Sequence, residues 1–560
     1  MQTPQSIFYR KLKVSCLPVL LCLLLVQPSV ALAQEIGRAP DLGTDARDVS
    51  ASFKLPPLRD QPDSELAKQL GGLQVSQRAR ALKLHSHSAD EAWAASDGLL
   101  SAARVRVNQA VPEGLRLFSG TRASELNVLL QDPSIRGVKV VSPKLDVDEP
   151  VQLRRAKCWL DLARVELRAV GEHARFLLRV EHTSEVVVSG GAFVGGDWGV
   201  LVNGSRDVTL VGGRYEGLRG GGVVLHDAPG AVLARTVLTR NGEAAVLVHG
   251  DTVGGVLLDN EIVGNFGSSN WNAGVVISDR NGPVADDPRS ILNPDRYGVR
   301  EQAMPTRLHP PRRNVLAFNR VALNASSGIY CDGSVESVIF ANTVEGNAKE
   351  GVCLDNGSTA NVLAMNLVRA NGKRWGKTDA ELRLDFVEAV GRLPDGSSAA
   401  KTPGISLDNS LYNVVYGNQI ERNYGGGVKM VRTAFFNVVG LNTVVDNNEG
   451  ANGHYHFFGV ELGAAKADVA VSDLDFTPCR GNILFGNTVR GTHYAGIFFG
   501  LGSTDNDIFD NSIFGATDWA MEQVRPQPNA SLNNLTNLPL RNIDAGLDAN
   551  LLKSSKGRMD

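Results

Sequence analysis

Cysteine is scarce in this chain, and the spacings that would bind a metal are missing. None of the six cysteines in 560 residues forms a CxxC pair, so we do not expect a structural zinc site. Two of the six fall before residue 34. The strand pattern described below points Cys331 and Cys353 to opposite sides of the backbone, which argues against a disulfide between them.

A large excess of charge of either sign is also missing. The formal net charge is −3, and loss of residues 1–33, which carry three basic and no acidic side chains, takes it to −6. A mildly acidic protein of this kind is not expected to bind nucleic acid in general.

The longest apolar run, residues 14–26, is too short and wrongly flanked for a membrane span. Three basic residues lie between positions 10 and 13, and Ala31-Leu32-Ala33 follows as a small-residue cleavage site. This pattern predicts a secretory signal peptide over residues 1–33, cleaved after Ala33. We therefore expect a periplasmic or secreted protein that does not insert into the membrane.

What the sequence has in abundance is a five-residue phrase of the form Gly, apolar, variable, apolar, polar. Two copies are Gly328-Ile329-Tyr330-Cys331-Asp332 and Gly351-Val352-Cys353-Leu354-Asp355, and uninterrupted copies recur every 23 residues. A second phrase follows about half a period later and ends in the asparagines Asn319, Asn342, Asn366, Asn418, Asn442, Asn487 and Asn511. Because a period this short cannot hold a buried helix and a strand, it predicts a solenoid of stacked short strands.

This pattern resembles the repeats of right-handed parallel β-helices of the pectin-lyase-like superfamily, over roughly residues 150–520. The resemblance implies an all-β solenoid of about 10–13 coils. We expect the asparagine side chains to hydrogen-bond between neighbouring coils, and we assign them no catalytic role. The resemblance further implies polysaccharide lyase or uronate epimerase chemistry, although the Asp-Pro-His-Asp run of mannuronan epimerases and a complete galacturonase pattern are absent.

The departures from the repeat predict how the chain is organised. We expect an arm with helical segments over residues 34–120, followed by an N-terminal cap over residues 121–150 whose helix has Ser124 as its N-cap. The β-helix is expected over residues 151–525, and a tail that covers the last coil over residues 526–560. Four insertions are expected to wall a groove along the outer face of the first-phrase strand. They are residues 279–311, 372–402, 447–457 and 464–480.

Strand alternation predicts which side chains face that groove. Positions one and three after the glycine point inward, and positions two and four point outward. The outward positions are apolar in the first four coils and polar in the next five, so we expect the early coils to be covered and the later ones open to solvent. At position four, Asp332, Asp355 and Asp408 stack on consecutive coils at ~4.8 Å spacing.

These three carboxylates form the predicted catalytic cluster. Like charges this close repel unless a cation lies among them, and carboxylate oxygens are ligands that Ca²⁺ accepts, so we expect a candidate calcium site there. By the resemblance, the cation would neutralise a uronate carboxylate of an acidic polysaccharide. A neighbouring Lys429, Arg432 or Tyr330 would then remove or return the adjacent proton, giving β-elimination or C5 epimerisation. Expected substrate contacts are Glu461, His454, His456, Trp271 and Ser406.

Other interpretations of the same residues stay open. Asp332 and Asp408, ~9.6 Å apart along the axis, suit an inverting glycoside hydrolase. Each aspartate also begins a good Asx-turn sequence. The stacked His226 and His249 have apolar neighbours, which favours a structural or loop-contacting role. Finally, the chain could be a non-catalytic β-helix that binds glycan or serves as a scaffold in a polysaccharide export or biosynthesis complex.

Overall fold

The computed structural model describes the chain from residue 92 to residue 544 with gaps. The described residues are 92–170, 175–266, 273–278, 310–372, 402–431, 434–447, 458–463, 479–500, 503, 506–516, 519–525, 530–532, 535–536 and 540–544. They form a parallel solenoid of about 13 coils with two helices. Arg432, His454, His456, Trp271 and almost all of the four insertions lie outside the described residues, as do the expected signal peptide and residues 34–91.

Three parallel sheets run the length of the solenoid, because each regular coil contributes one short strand to each sheet. With strands numbered in chain order, sheet 1 contains β4 (Val151–Leu153), β6 (Phe176–Glu181), β8 (Trp198–Asn203), β11 (Val223–His226), β14 (Val246–His249), β17 (Val275–Ser278), β20 (Ile329–Asp332), β23 (Val352–Asp355), β26 (Ile405–Asp408), β29 (Val428–Val431), β32 (Phe458–Leu462), β35 (Ala495–Phe499), β38 (Trp519–Arg525) and β41 (Leu540–Asp544).

Sheets 2 and 3 are joined through β5 (Trp159–Ala169) and β7 (Val187–Val194), which are long enough to take part in both. Sheet 2 also contains β1 (Arg116–Phe118), β2 (Gly137–Val140), β9 (Thr209–Val211), β12 (Val232–Ala234), β15 (Val256–Leu258), β18 (Val315–Ala317), β21 (Val338–Phe340), β24 (Val362–Ala364), β27 (Val414–Tyr416), β30 (Val438–Gly440), β33 (Ile483–Phe485), β36 (Asp507–Phe509) and β39 (Ala530–Leu532). Sheet 3 also contains β3 (Lys144–Val147), β10 (Arg214–Glu216), β13 (Val237–Thr239), β16 (Glu261–Val263), β19 (Arg320–Ala322), β22 (Thr343–Glu345), β25 (Leu367–Arg369), β28 (Gln419–Glu421), β31 (Thr443–Val445), β34 (Thr488–Arg490), β37 (Ser512–Phe514) and β40 (Leu535–Thr536).

The predicted strand register is confirmed along sheet 1. The inward position-one residues pair coil to coil and are buried in one continuous apolar core. They are Val200, Val223, Val246, Val275, Ile329, Val352, Ile405, Val428, Val460 and Ile497. A glycine precedes most of these strands, although Ala245 precedes β14, and close approach explains the preference. A Cβ at Gly328 would lie 2.7 Å from the carbonyl oxygen of Gly351 and 2.6 Å from Val344, closer than non-bonded atoms allow.

The predicted hydrogen bonds between asparagine side chains are also confirmed. The Asn319 side chain donates to Asn342 Oδ1 at 2.9 Å, and Asn342 donates to Asn366 Oδ1 at 3.0 Å. Each amide also donates to a backbone carbonyl of the preceding coil, as Asn342 does to Leu316 at 2.8 Å. These buried amides therefore satisfy the polar backbone of the bend, and their role is structural.

Two helices lie at the N-terminal end of the described chain. The predicted cap helix is present as α2 (Ala123–Gln131), and its buried Leu126 and Leu130 join the solenoid core. The predicted N-cap is wrong: the N-cap is Arg122, two residues before Ser124, and its side chain makes no capping hydrogen bond. Ser124 instead donates from its hydroxyl to Asp148 at 2.7 Å.

The helix α1, residues 92–107, was not predicted as a separate element. Its buried Leu100 and Ala103 pack on the outer face of sheet 2. Trp93 meets Phe340 edge-on at 5.2 Å between ring centroids, and Arg106 donates to the Gly230 carbonyl at 2.6 Å. The helix thus spans several coils.

The stack is longer at both ends than the sequence predicted. Strands β1 to β3 precede residue 151 and pair in parallel with β2 and β5, while β39 to β41 follow residue 525. Cys158, Cys331, Cys353 and Cys479 are buried and not disulfide-bonded, in agreement with the expectation for Cys331 and Cys353. In the described part of the chain, neither helix is long and apolar enough to cross a membrane.

Candidate functional site

The outer face of sheet 1 carries the predicted site, and its two outward columns have the predicted register. The position-two column contains Leu201, Val224, Leu247, Val276, Tyr330, Cys353, Ser406, Lys429, Glu461 and Phe498 on successive strands. We name the stretch of this face from β20 to β32 the polar face. It contains Tyr330, Asp332, Asp355, Ser406, Asp408, Lys429 and Glu461.

The expectation that the later coils are open to solvent is wrong for most of the position-two column. Tyr330, Ser406 and Glu461 are each at least 94 % buried. Lys429 keeps 35 % of its side chain exposed, and Asp355 and Asp408 are half-buried. Alternation gives the direction of a side chain but not what packs over it. Among the described residues of the polar face, the accessible ionisable groups are these three.

The Asp355 carboxylate is held on both oxygens. Tyr330 donates its hydroxyl proton to Asp355 Oδ2 at 2.8 Å, and the Asn356 backbone N–H donates to Oδ1 at 2.7 Å. The second contact is with the N–H of the next residue and not with the N–H two residues on, so it is not the hydrogen bond of an Asx turn. Burial, followed by the nearby Asp355 carboxylate, raises the pKa of Tyr330 above its usual value. Tyr330 therefore keeps its proton and orients Asp355, and its phenol is unsuited to be a base.

Asp332 is in register with Asp355 on the next strand but is completely buried. Ser278 donates its hydroxyl to Asp332 Oδ2 at 3.4 Å. Asp408 is in register with Val431 on the following strand. The three aspartates thus lie on consecutive coils as expected, and the two that reach the surface are Asp355 and Asp408.

Lys429 and Glu461 form an ion pair across neighbouring strands. Lys429 Nζ lies 3.5 Å from Glu461 Oε1, and the Glu461 side chain is 8 % exposed. The pairing was not predicted, although both residues occupy position two of adjacent coils, which is the signal that would have found it. A buried carboxylate holding a half-exposed ammonium presents one oriented positive charge on the polar face.

The thiol of Cys353 lies between Tyr330 and Ser406 in the position-two column. Burial, assisted by Glu350, raises the pKa of Cys353 well above its usual value. A buried thiol in this environment is inert as a nucleophile.

A calcium site requires several oxygen ligands around one point. Across the described ranges, no group of three or more His, Cys, Asp and Glu side chains could hold a metal ion. Asp332, Asp355 and Asp408 follow the axis of the solenoid and do not surround a common point. Calcium therefore remains a prediction of the sequence alone.

Comparison with known proteins gives two family-model matches. The model described as a right-handed beta helix region matches residues 198–368, and the model described as periplasmic copper-binding protein (NosD) matches residues 299–454. No curated protein matches the chain.

Several solved structures are similar in architecture at low sequence identity. The A-module of mannuronan C-5 epimerase AlgE4 from Azotobacter vinelandii is 13 % identical with a TM-score of 0.38, covering 73 % of this chain and 91 % of that one. The periplasmic alginate epimerase AlgG is 13 % identical with a TM-score of 0.37, covering 78 % and 88 %. PfbA, a surface adhesin of Streptococcus pneumoniae, is 10 % identical with a TM-score of 0.41, covering 72 % and 88 %.

These structures are of two epimerases and an adhesin, so the likeness does not select a reaction. The family-model match over the central coils and the parallel stacking of three sheets agree on architecture. The chain is a right-handed parallel β-helix.

Proposed function

We propose that this protein is an exported enzyme that acts on an acidic, uronate-containing polysaccharide by β-elimination or C5 epimerisation on the polar face. The observation that carries the proposal is the sequence of accessible groups on three successive strands. Asp355, Asp408 and Lys429 occupy β23, β26 and β29, with Lys429 anchored by Glu461 and Asp355 anchored by Tyr330. Both reactions need a fixed positive charge beside a carboxylate base.

Lys429 is the group that would bind the uronate carboxylate. Its ammonium offsets negative charge that spreads onto that carboxylate when the neighbouring C5–H bond breaks, which lowers the barrier to proton removal. Glu461 holds the ammonium in place. No bound metal is needed for this step.

Asp408, one strand away at ~4.8 Å along the axis, would accept the C5 proton as general base. When the C5–H bond breaks, its electron pair spreads onto the uronate carboxylate. In β-elimination, this pair forms the C4–C5 double bond as the C4–O bond breaks, and the C4–O electrons go to the leaving oxygen, which takes a proton from water. In epimerisation, the C4–O bond stays intact, and water on the opposite side of the ring returns a proton to C5. Asp355, which the protonated Tyr330 orients, binds the adjoining sugar.

The polar face favours these reactions over inverting hydrolysis by Asp332 and Asp408. An inverting enzyme needs both carboxyl groups in contact with substrate or water, and Asp332 has no exposed surface. The export signal pattern of residues 1–33 supports a periplasmic or secreted location.

The test is a screen of uronic-acid polymers with the mature chain, with and without chelator. New unsaturated ends, measured by ultraviolet absorbance, indicate a lyase, and a changed NMR spectrum without cleavage indicates an epimerase. Lys429→Met and Asp408→Asn should each lower kcat/KM on the accepted polymer by about 10²-fold or more. The rate with chelator should equal the rate without it.

Matched controls lie on the outer face of sheet 3. Arg320 pairs with Glu261 at 3.2 Å and with Glu345 at 3.0 Å, so Arg320→Met and Glu261→Gln remove the same kinds of charge elsewhere. These variants should retain activity. Reducing ends without unsaturation would indicate a hydrolase and refute the mechanism, and no response to any polymer would favour a glycan-binding or scaffold protein.

A further inference from the structure

Four aromatic side chains cluster on the outer face of sheet 1, at the end of the polar face that is nearer the C-terminus. Phe458 and Phe498 stack with 4.2 Å between ring centroids and an interplanar angle of 13°. Tyr494 meets Phe458 edge-on at 6.2 Å, and Trp519 packs against the same cluster. We name these four residues the aromatic patch. They take no part in the reaction proposed above.

The strand register places the aromatic patch directly beside the ion pair of the polar face. Phe498 is the coil-to-coil partner of Glu461, and Glu461 lies 3.5 Å from the Lys429 ammonium. Phe458 begins β32, which also carries Glu461, and Trp519 begins β38. The aromatic patch therefore continues the surface on which Lys429 lies.

The aromatic patch is less deeply buried than the apolar residues at the other end of the same face. There, the outward position-two residues of the first four coils are at most 3 % exposed. In the aromatic patch, the two stacked phenylalanines are buried, but Tyr494 and Trp519 are only half-buried. Part of each of these two side chains reaches solvent. Tyrosine and tryptophan have few rotatable bonds, so they offer rigid contact area at a low cost in conformational entropy.

The area and charge of the aromatic patch indicate which kind of ligand fits it. A stable protein interface buries ~800 Å² on each partner, far more than two half-buried side chains expose. None of the four residues is acidic or basic. An aromatic ring has a partly negative face, which attracts the partly positive C–H hydrogens on one face of a sugar ring. A small uncharged aromatic surface therefore fits one sugar ring better than it fits a second copy of the chain.

We propose that Tyr494 and Trp519 bind one sugar unit of the polysaccharide through its C–H face, two to three coils beyond Lys429, which is about 10–14 Å along the axis. This assignment rests on the proposed function and adds the direction of the polymer, which lies along the solenoid over β29, β32, β35 and β38. The sugar bound to the aromatic patch is not the sugar that reacts. Its contact holds the polymer in position, so long chains bind more tightly than short ones.

The experiment compares wild type and variants in the binding and turnover of polygalacturonate and polymannuronate. Trp519→Ala and Tyr494→Ala should each raise Kd and KM by about three- to tenfold and leave kcat unchanged. Kd is measured by calorimetry, which needs no turnover. On oligomers too short to reach from Lys429 to the aromatic patch, both variants should behave as wild type. Trp519→Phe keeps a ring and should retain most of the affinity.

The matched control is Phe509→Ala, which removes a half-buried ring from the outer face of sheet 2, where it stacks on Phe485 at 5.7 Å. It should bind and turn over the polymer as wild type does. Melting temperatures show whether each variant folds. Trp519→Leu and Tyr494→Leu keep apolar bulk without a ring, and they replace any alanine variant that does not fold.

The outcomes separate this assignment from the proposed reaction. Turnover with unaltered KM and Kd in the Tyr494 and Trp519 variants overturns the assignment and leaves the reaction standing. Binding without turnover, weakened in both variants, supports the assignment and refutes the reaction. The assignment is also overturned if wild type binds neither polymer, if Phe509→Ala weakens binding equally, or if wild type is a dimer that Trp519→Ala converts to a monomer.

Discussion

Removal of one asparagine side chain from the middle of the stack should destabilise the coils on either side of it. Asn342 is 1 % exposed, and its side chain takes part in four hydrogen bonds. Oδ1 accepts from the backbone N–H and side-chain amide of Asn319, both at 2.9 Å, and Nδ2 donates to the Leu316 carbonyl at 2.8 Å and to Asn366 Oδ1 at 3.0 Å.

Asn342→Ala removes all four bonds. At about 1 kcal/mol net for each, the loss is about 4 kcal/mol, and the Asn319 N–H and Leu316 carbonyl are left buried without their partner. Coils of a solenoid contact only their neighbours, so the loss should appear in β18 to β24 and fade beyond them. A global unfolding midpoint alone would understate it, because long arrays need not unfold in one step.

Hydrogen exchange measured by mass spectrometry gives the free energy of local opening for each coil. The opening free energy of β18 to β24 should fall by about 3–5 kcal/mol in Asn342→Ala. Thr343→Ala, at the next residue on the half-buried outer face of sheet 3, should change it by less than about 0.5 kcal/mol. If the opening free energy decreases by less than about 1 kcal/mol in Asn342→Ala, the hydrogen bonds between asparagines contribute little to stability.

Three further outcomes are expected. His493 Nε2 accepts the Asn447 N–H at 3.0 Å, and burial lowers the pKa of His493 from 6.5 to about 4. Its stabilising effect should be complete above pH ~6.5 and fall as pH drops towards 4, and His493→Gln should flatten this part of the urea midpoint plotted against pH. Gly328→Ala should lower the melting temperature, because the new Cβ meets the Gly351 carbonyl at 2.7 Å. Trp93→Ala, which loses the Phe340 contact, should speed proteolysis within α1 while leaving exchange in sheet 1 unchanged.

The fold was predictable because the repeated residues identify the strand register. The glycine marks where two backbones approach, and the apolar residue after it must face inward, so Val352 and Ile405 fix the direction of every neighbour. Asparagine at a constant offset identifies the bend. The position of helix α1 on the solenoid is not indicated by any repeated residue. Its contacts, such as Arg106 with Gly230, join residues 124 positions apart.

The sequence predicted the direction of the side chains at the site but not how deeply they are buried. Alternation correctly predicted that Tyr330 and Glu461 point outward, yet both are buried, because alternation does not specify what packs against an outward side chain. The pairing of Lys429 with Glu461 and the contact of Tyr330 with Asp355 depend on side-chain rotamers, which a strand pattern does not specify.

The column of asparagines that hydrogen-bond from coil to coil continues without a break across the insertions in the sequence. Neighbouring members are usually 23 or 24 residues apart in sequence, but Asn260 and Asn319 are separated by 59, Asn366 and Asn418 by 52, and Asn442 and Asn487 by 45. The same hydrogen bond between side-chain amides forms at each of these three gaps. Insertions of very different length are therefore compatible with the same frame, and shortening or exchanging one of them should leave the asparagine hydrogen bonds on either side of it intact.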